Sequence, residues 1–162
     1  MTKEQYEKIS APFRRSKKGM TIIRCADKVL TVLIFAAYPV LIVYLLLQGL
    51  YARGIKCIAI PAISFVLVSA FRKVYSAKRP YEALDIVPLI KKDTVGKSFP
   101  SRHVFSVFII GMTFFYINRP WGMVVGIVGI LMGYVRVVGG VHFPKDVFAG
   151  AVIGILCGMC YF

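Results

Sequence analysis

Five apolar stretches leave this chain few ways to fold: Val29–Gln48, Gly54–Phe71, about Ser101–Ile117, Trp121–Val138 and from about Pro144 to Phe162. The first meets the length of about twenty residues needed to cross a bilayer as a helix. The second carries Pro61, a kink that helices tolerate in lipid. The last three are short, so their polar end turns are expected at the interface. Between residues 72 and 102 the sequence is polar and holds Pro80, Pro88 and Pro100, which keeps it out of hydrocarbon. A chain of 162 residues that is 58% hydrophobic has too little interior to hide such a load as a soluble domain. The expected architecture is all-α, a polytopic transmembrane helical bundle of about five spans. Gly122, Gly126, Gly129 and Gly133 in the fourth span, and Gly150, Gly154 and Gly158 in the fifth, are spaced to let helix backbones approach closely.

Residues 1–28 are polar and basic around Arg14-Arg15-Ser16-Lys17-Lys18 and read as an interfacial arm or a solvated tail, with residues 29–162 as the single transmembrane domain. No signal peptide is expected, because the first apolar run begins near Val29 and lacks a small-residue cleavage site. The net charge of +14 would suggest nucleic acid in a soluble protein. Here the cations flank apolar spans, so anionic lipids and phosphorylated lipid substrates are the expected partners, and nucleic acid is not. Cys25, Cys57, Cys157 and Cys160 lie in or beside apolar segments and imply no disulfide framework.

Antiparallel spans bring three polar clusters to one membrane face. Arg72-Lys73 through Lys78-Arg79-Pro80 follow the second span, Pro100-Ser101-Arg102-His103 open the third, and Arg136 to Asp146 join the fourth to the fifth. His142 and Asp146 are four residues apart with Pro144 placed to start a helix, so the carboxylate can fix one imidazole nitrogen and free the other to attack phosphorus. His103 is the candidate acid and base. Arg79, Arg136 and Arg72 or its neighbour Lys73 are the candidate phosphate ligands, with Ser101 and the amides at a helix N-terminus as further donors. This chemistry calls for no metal and no cofactor.

The clusters resemble the type 2 phosphatidic acid phosphatase (PAP2) superfamily, whose core is shared with vanadium haloperoxidases. The family's Lys-x6-Arg-Pro reads here Arg72-x6-Arg79-Pro80, its Pro-Ser-Gly-His reads Pro100-Ser101-Arg102-His103, and its Ser-Arg-x5-His-x3-Asp reads Val135-Arg136-x5-His142-x3-Asp146. The resemblance implies that His142 forms a phosphohistidine, Asp146 orients it, His103 is the acid and base, and Arg79 and Arg136 bind phosphate. It departs at Arg72 for lysine, Arg102 for glycine and Val135 for serine, and shows five spans where the family core usually has six. Arg102 is open to three readings: contact with a second phosphate, contact with an acidic headgroup, or a narrower pocket. The resemblance implies metal-independent dephosphorylation of a lipid phosphate such as phosphatidylglycerophosphate, phosphatidate or polyprenyl pyrophosphate, in a bacterial plasma membrane. A lipid phosphotransferase and a non-catalytic lipid-phosphate carrier are the alternatives.

Lys78 and Lys97 read as solvated loop charges, Lys91 and Lys92 as headgroup or solvent contacts, Tyr75 and Tyr81 as interface anchors, and Glu82 and Asp85 as partners of nearby lysines. Of 21 lysines and arginines, all but Arg53, Lys56 and Arg119 fall on the motif side of a five-span topology. That bias favours a cytoplasmic site, whereas the family precedent favours the outer face.

Overall fold

Thr2 and Gln5 cap each other's backbone amides and start α1, Lys3–Arg14, in the computed structural model, which describes residues 1–162. Ser16 accepts from the Gly19 amide at 3.0 Å and starts α2, Lys17–Leu47, which passes unbroken through residue 28. After a turn at Gly49 (φ 71°) come α3, Tyr51–Tyr75, and the short α4, Pro80–Ala83. A long connection leads to α5, Arg102–Ile117. Asn118 then caps α6, Arg119–Val138, and Pro144 opens α7, Pro144–Gly158, before a closing 3-10 turn, Met159–Tyr161. There is no strand.

Lys17–Leu47, Tyr51–Ala83, Arg119–Val138 and Pro144–Tyr161 are long and apolar enough to cross a membrane. α5 is shorter, and its place in the bundle accounts for that. Sixteen residues rise about 24 Å, less than a hydrocarbon core of about 30 Å. α5 packs chiefly on α6 and α7 and also touches α2 and α3, so it is the central helix and its neighbours carry most of the lipid contact. Val104, Phe105, Val107, Ile109 and Ile110 on it are buried, while Val40, Leu67, Ile130 and Phe148 on the outer helices are exposed. In α6, and in α7 with its closing 3-10 turn, the polar end residues Arg119 and Lys145-Asp146 complete spans of 20 and 18 residues, while α5 is shielded by the bundle.

The glycines of α7 all serve this packing. A Cβ on Gly150 would lie 2.6 Å from the Ser101 carbonyl oxygen, one on Gly154 2.8 Å from that of Phe105, and one on Gly158 2.3 Å from Met112 Cβ. In α6, Gly122 lies equally close to Phe115, but Gly126 faces open space. Pro61 leaves the Cys57 carbonyl without its helical donor, and the Tyr38 hydroxyl of α2 supplies one at 2.6 Å.

The basic arm is more than a tail. Tyr6 of α1 is fully buried against Gly140, a position with φ 75° that no side chain fits easily. Ile23 packs with Leu89, Ile90, Val135, Val138 and Val141, and Arg24 Nε donates to the Leu89 carbonyl at 2.7 Å. α1 and the first turns of α2 thus back the turn that carries His142.

Candidate active site

The C-terminal end of α3, the N-terminal ends of α5 and α7 and the loops between them converge on a cavity of about 280 Å³. Arg72, Lys73, Arg79, Arg102, His103 and His142 line it. Ser69, Lys92, Thr94 and Lys97 complete it, and none of the lining residues is hydrophobic. Both members of the Arg72–Lys73 pair therefore reach it.

His142 is buried in the turn between α6 and α7, and Asp146 in the first turn of α7 faces its Nδ1. The Nδ1–Oδ2 separation is 3.6 Å, a charge contact wider than a formed hydrogen bond. The same carboxylate oxygen accepts from the Phe143 amide at 2.9 Å and from the Ser98 hydroxyl at 2.5 Å. Ser98 Oγ also lies 3.4 Å from His142 Nδ1. With Nδ1 held on that side, Nε2 is the imidazole nitrogen left for a ligand. Burial lowers the His142 pKa from the ordinary histidine value; Asp146 works in the opposite direction, and Arg79 reinforces the burial.

Arg72 and Arg79 are held by backbone oxygens. Arg79 Nε donates to Gly96 O at 3.0 Å, Nη1 to Val141 O at 3.0 Å and Nη2 to Lys97 O at 3.3 Å. Arg72 donates to the carbonyls of Lys97, Ser98 and Pro100. Glu82 pins the same strap from the other end, accepting from Arg79 N at 2.8 Å and Gly96 N at 2.9 Å. Glu82 is thus a backbone acceptor, not the lysine partner its sequence context suggests.

Two expected phosphate ligands stand back from the cavity wall. Arg136 is buried and its Nε lies 2.9 Å from Asp27 Oδ1 of α2; the N–H is not aimed at that oxygen, so the contact is ionic without a hydrogen bond. Its charge still bears on His142. Ser101 is turned into the α5–α7 contact, where its amide donates to Asp146 O at 2.8 Å and its buried hydroxyl has no partner. Val135, at the motif's serine position, joins the apolar cluster beneath the turn.

Lys92 and Lys97 also line the cavity: Lys92 is half-buried there, while Lys97 stays exposed, as a solvated loop charge would be. Burial lowers the Lys92 pKa to about 8, helped by Arg136 and Arg79 and opposed by Asp27. Tyr81 donates to Thr94 O at 2.6 Å, fastening this loop, while Tyr75 packs with Phe71 and Phe99. Ser98 and Lys92 have no periodic pattern around them, and the only sequence signal for either was adjacency to the Pro-Ser-Arg-His segment or to a second lysine.

The family model described as PAP2 superfamily matches residues 53–162. The chain is 31% identical over 104 residues to the "Bacitracin transport permease protein BcrC" of Bacillus licheniformis, covering 62% of this chain and 51% of that one. It is 34% identical over 113 residues to the undecaprenyl-diphosphatase BcrC of Bacillus subtilis, covering 70% and 55%. The matches thus span about half the length of these relatives. The crystal structure of Aquifex aeolicus LpxE superposes with a TM-score of 0.74 at 24% identity, over 98% of this chain and 92% of that one, a likeness of fold.

Proposed function

The chain belongs to the PAP2 superfamily, and from that membership and the geometry of the cavity we propose that it hydrolyses a phosphate ester or anhydride of a membrane lipid through a phosphohistidine. One observation carries the reading: a buried histidine backed by Asp146 and Ser98 opens onto a cavity whose charged walls are otherwise all cationic. A binding pocket needs only the cations; an imidazole held at one nitrogen is what a nucleophile needs.

His142 Nε2 attacks phosphorus while Arg72, Arg79, Lys73, Lys92 and Lys97 neutralise the phosphoryl oxygens. His103 protonates the departing oxygen and then takes a proton from the water that attacks the phosphohistidine. Asp146 holds the Nδ1 proton and stabilises the imidazolium form. Arg136 acts from behind, through its charge, while paired to Asp27. The name printed for the Bacillus subtilis relative, undecaprenyl-diphosphatase, supports a lipid diphosphate among the candidate substrates. The charge bias supports a site on the cytoplasmic face of a bacterial membrane.

The deciding experiment is release of inorganic phosphate by the purified chain in detergent, with EDTA, from lipid mono- and diphosphates. Release that survives chelation and disappears in His142→Ala is the expected result. Lipid binding without release from any of them would replace the phosphatase with a carrier.

A further inference from the structure

Three of the four arginines at the site are already committed, Arg72 and Arg79 to carbonyls and Arg136 to Asp27. Arg102 is not. Its guanidinium carbon lies 5.3 Å from the centroid of the Phe65 ring of α3, a contact with a ring face that uses no N–H. It occupies the position where the PAP2 motif has glycine, so an extra cation stands at the mouth of the cavity.

What lies beyond Arg102 gives that cation a use. Arg102 and His103 line both the cationic cavity and an adjoining one of about 220 Å³ bordered by Phe35, Phe65 and Ser106. Those last three residues also border an apolar groove of about 460 Å³ between α2, α3 and α5, walled further by Tyr38, Pro61 and Ile109. From His142 outward the sequence of surfaces is cationic cavity, one unpaired guanidinium, then a groove lined almost wholly by apolar side chains. A ligand matching that order has a terminal phosphate, a second anionic group and a hydrocarbon chain.

We propose that Arg102 is a specificity-determining residue that binds the lipid-proximal phosphate of a lipid diphosphate, with the terminal phosphate against His142 and the chain in the groove between α2, α3 and α5. This rests on the phosphatase reading above and narrows its substrate. His142 Nε2 bonds to the terminal phosphorus and the bond from that phosphorus to the bridging oxygen breaks. The lipid monophosphate leaves with its electrons and a proton from His103. Water then displaces the phosphoryl group from His142, gives its proton to His103, and inorganic phosphate departs. The negative charge gathering on the leaving phosphate lies beside Arg102. A lipid monophosphate bound with its phosphate at His142 leaves Arg102 without an anion.

The test compares farnesyl diphosphate and farnesyl phosphate as substrates of the full chain, wild type beside Arg102→Gln and Arg102→Lys. The ratio of kcat/KM for diphosphate over monophosphate is expected to fall about 10- to 100-fold in Arg102→Gln, the range of a lost charge-assisted contact, and to recover in part in Arg102→Lys. An unchanged ratio, including one in which both substrates lose equally, overturns the assignment. Competition binding of farnesyl methylenebisphosphonate against farnesyl phosphonate reads the same ratio without turnover. Should the wild type hydrolyse neither substrate, the phosphatase reading fails and the affinity ratio alone decides the role of Arg102.

Discussion

One oxygen of Asp146 receives the Ser98 hydroxyl, the Phe143 amide and the approach of His142, which makes Ser98 a positioning residue for the imidazole. Ser98→Ala removes a hydrogen bond to a carboxylate, worth about 1.5–3 kcal/mol, and is expected to lower kcat about 10-fold while KM stays nearly constant. A rise in KM at constant kcat would assign Ser98 to substrate binding instead. His142 sets the acid limit of the reaction. Burial lowers its folded pKa, so the nucleophile stays neutral below the unfolded value of about 6.5, and the acid limb of kcat/KM is expected below that pH. The same shift means that the unfolded chain binds a proton the folded one refuses, so this group's contribution to stability is lost as pH falls from about 6.5 towards the folded pKa. Lys92 acts at the other end: as pH rises through about 8 it discharges, and KM is expected to climb. In Lys92→Arg, which keeps its charge, that climb should be absent from the KM profile. His103, His142, Asp146, Arg72 and Arg79 were legible in the sequence because they pair unusual chemistry with span ends. Ser98 and Lys92 were not, since a loop has no period to show which way a side chain faces, nor was Glu82, whose four-residue helix is too short to show one.

Helix contacts fix the distance between the two histidines. His103 rides on α5 and His142 precedes α7, and Gly150 sits where these helices touch. Gly150→Ala puts a methyl 2.6 Å from the Ser101 carbonyl oxygen, which must push the start of α5 away. Activity is expected to drop at least 10-fold, whereas Gly126→Ala, with nothing near its Cβ, should raise stability by about 0.5–1 kcal/mol and spare activity. Parallel assays and melting curves in detergent check both; equal behaviour of the two variants would remove this account of the spacing. The ion pair between α2 and α6 is a second element-scale joint. Asp27→Asn leaves Arg136 buried and unpaired, and should cost about 3 kcal/mol, visible as a lower melting temperature. Asp27→Leu combined with Arg136→Met should regain most of that stability. The small-residue spacing revealed in sequence that α6 and α7 pack tightly. It did not reveal that Gly126 is idle or that α5 lies at the centre, because hydropathy scores a helix buried in protein and one facing lipid alike. Nor could composition show that the arm folds under the His142 turn, a placement that depends on Tyr6 meeting Gly140 across the fold.

At the scale of the molecule, charge is concentrated at one end. α1, the loop between α4 and α5 and the start of α7 lie with the site, while Arg53, Lys56 and Arg119 stand at the far ends of α3 and α6. A protease-cleavable tag ahead of Met1 reports which way the chain sits: protection in intact cells is expected, and cleavage from outside would place the site on the outer face. The run of about five apolar helices was legible because charge separates each apolar run from the next, and the family's motifs were legible because they recur in order at those boundaries. The cavity itself was not, since it forms only when three helix ends and a long connection meet. The carbonyls that hold Arg72 and Arg79 have a kinetic consequence. Gly96, Lys97 and Val141 carbonyls hold Arg79, and those of Lys97, Ser98 and Pro100 hold Arg72, so both guanidinium groups are fixed in place by the backbone before they meet a phosphoryl oxygen. Cations already ordered lose little rotamer freedom when a substrate arrives, so more of the binding energy is left for the reacting group.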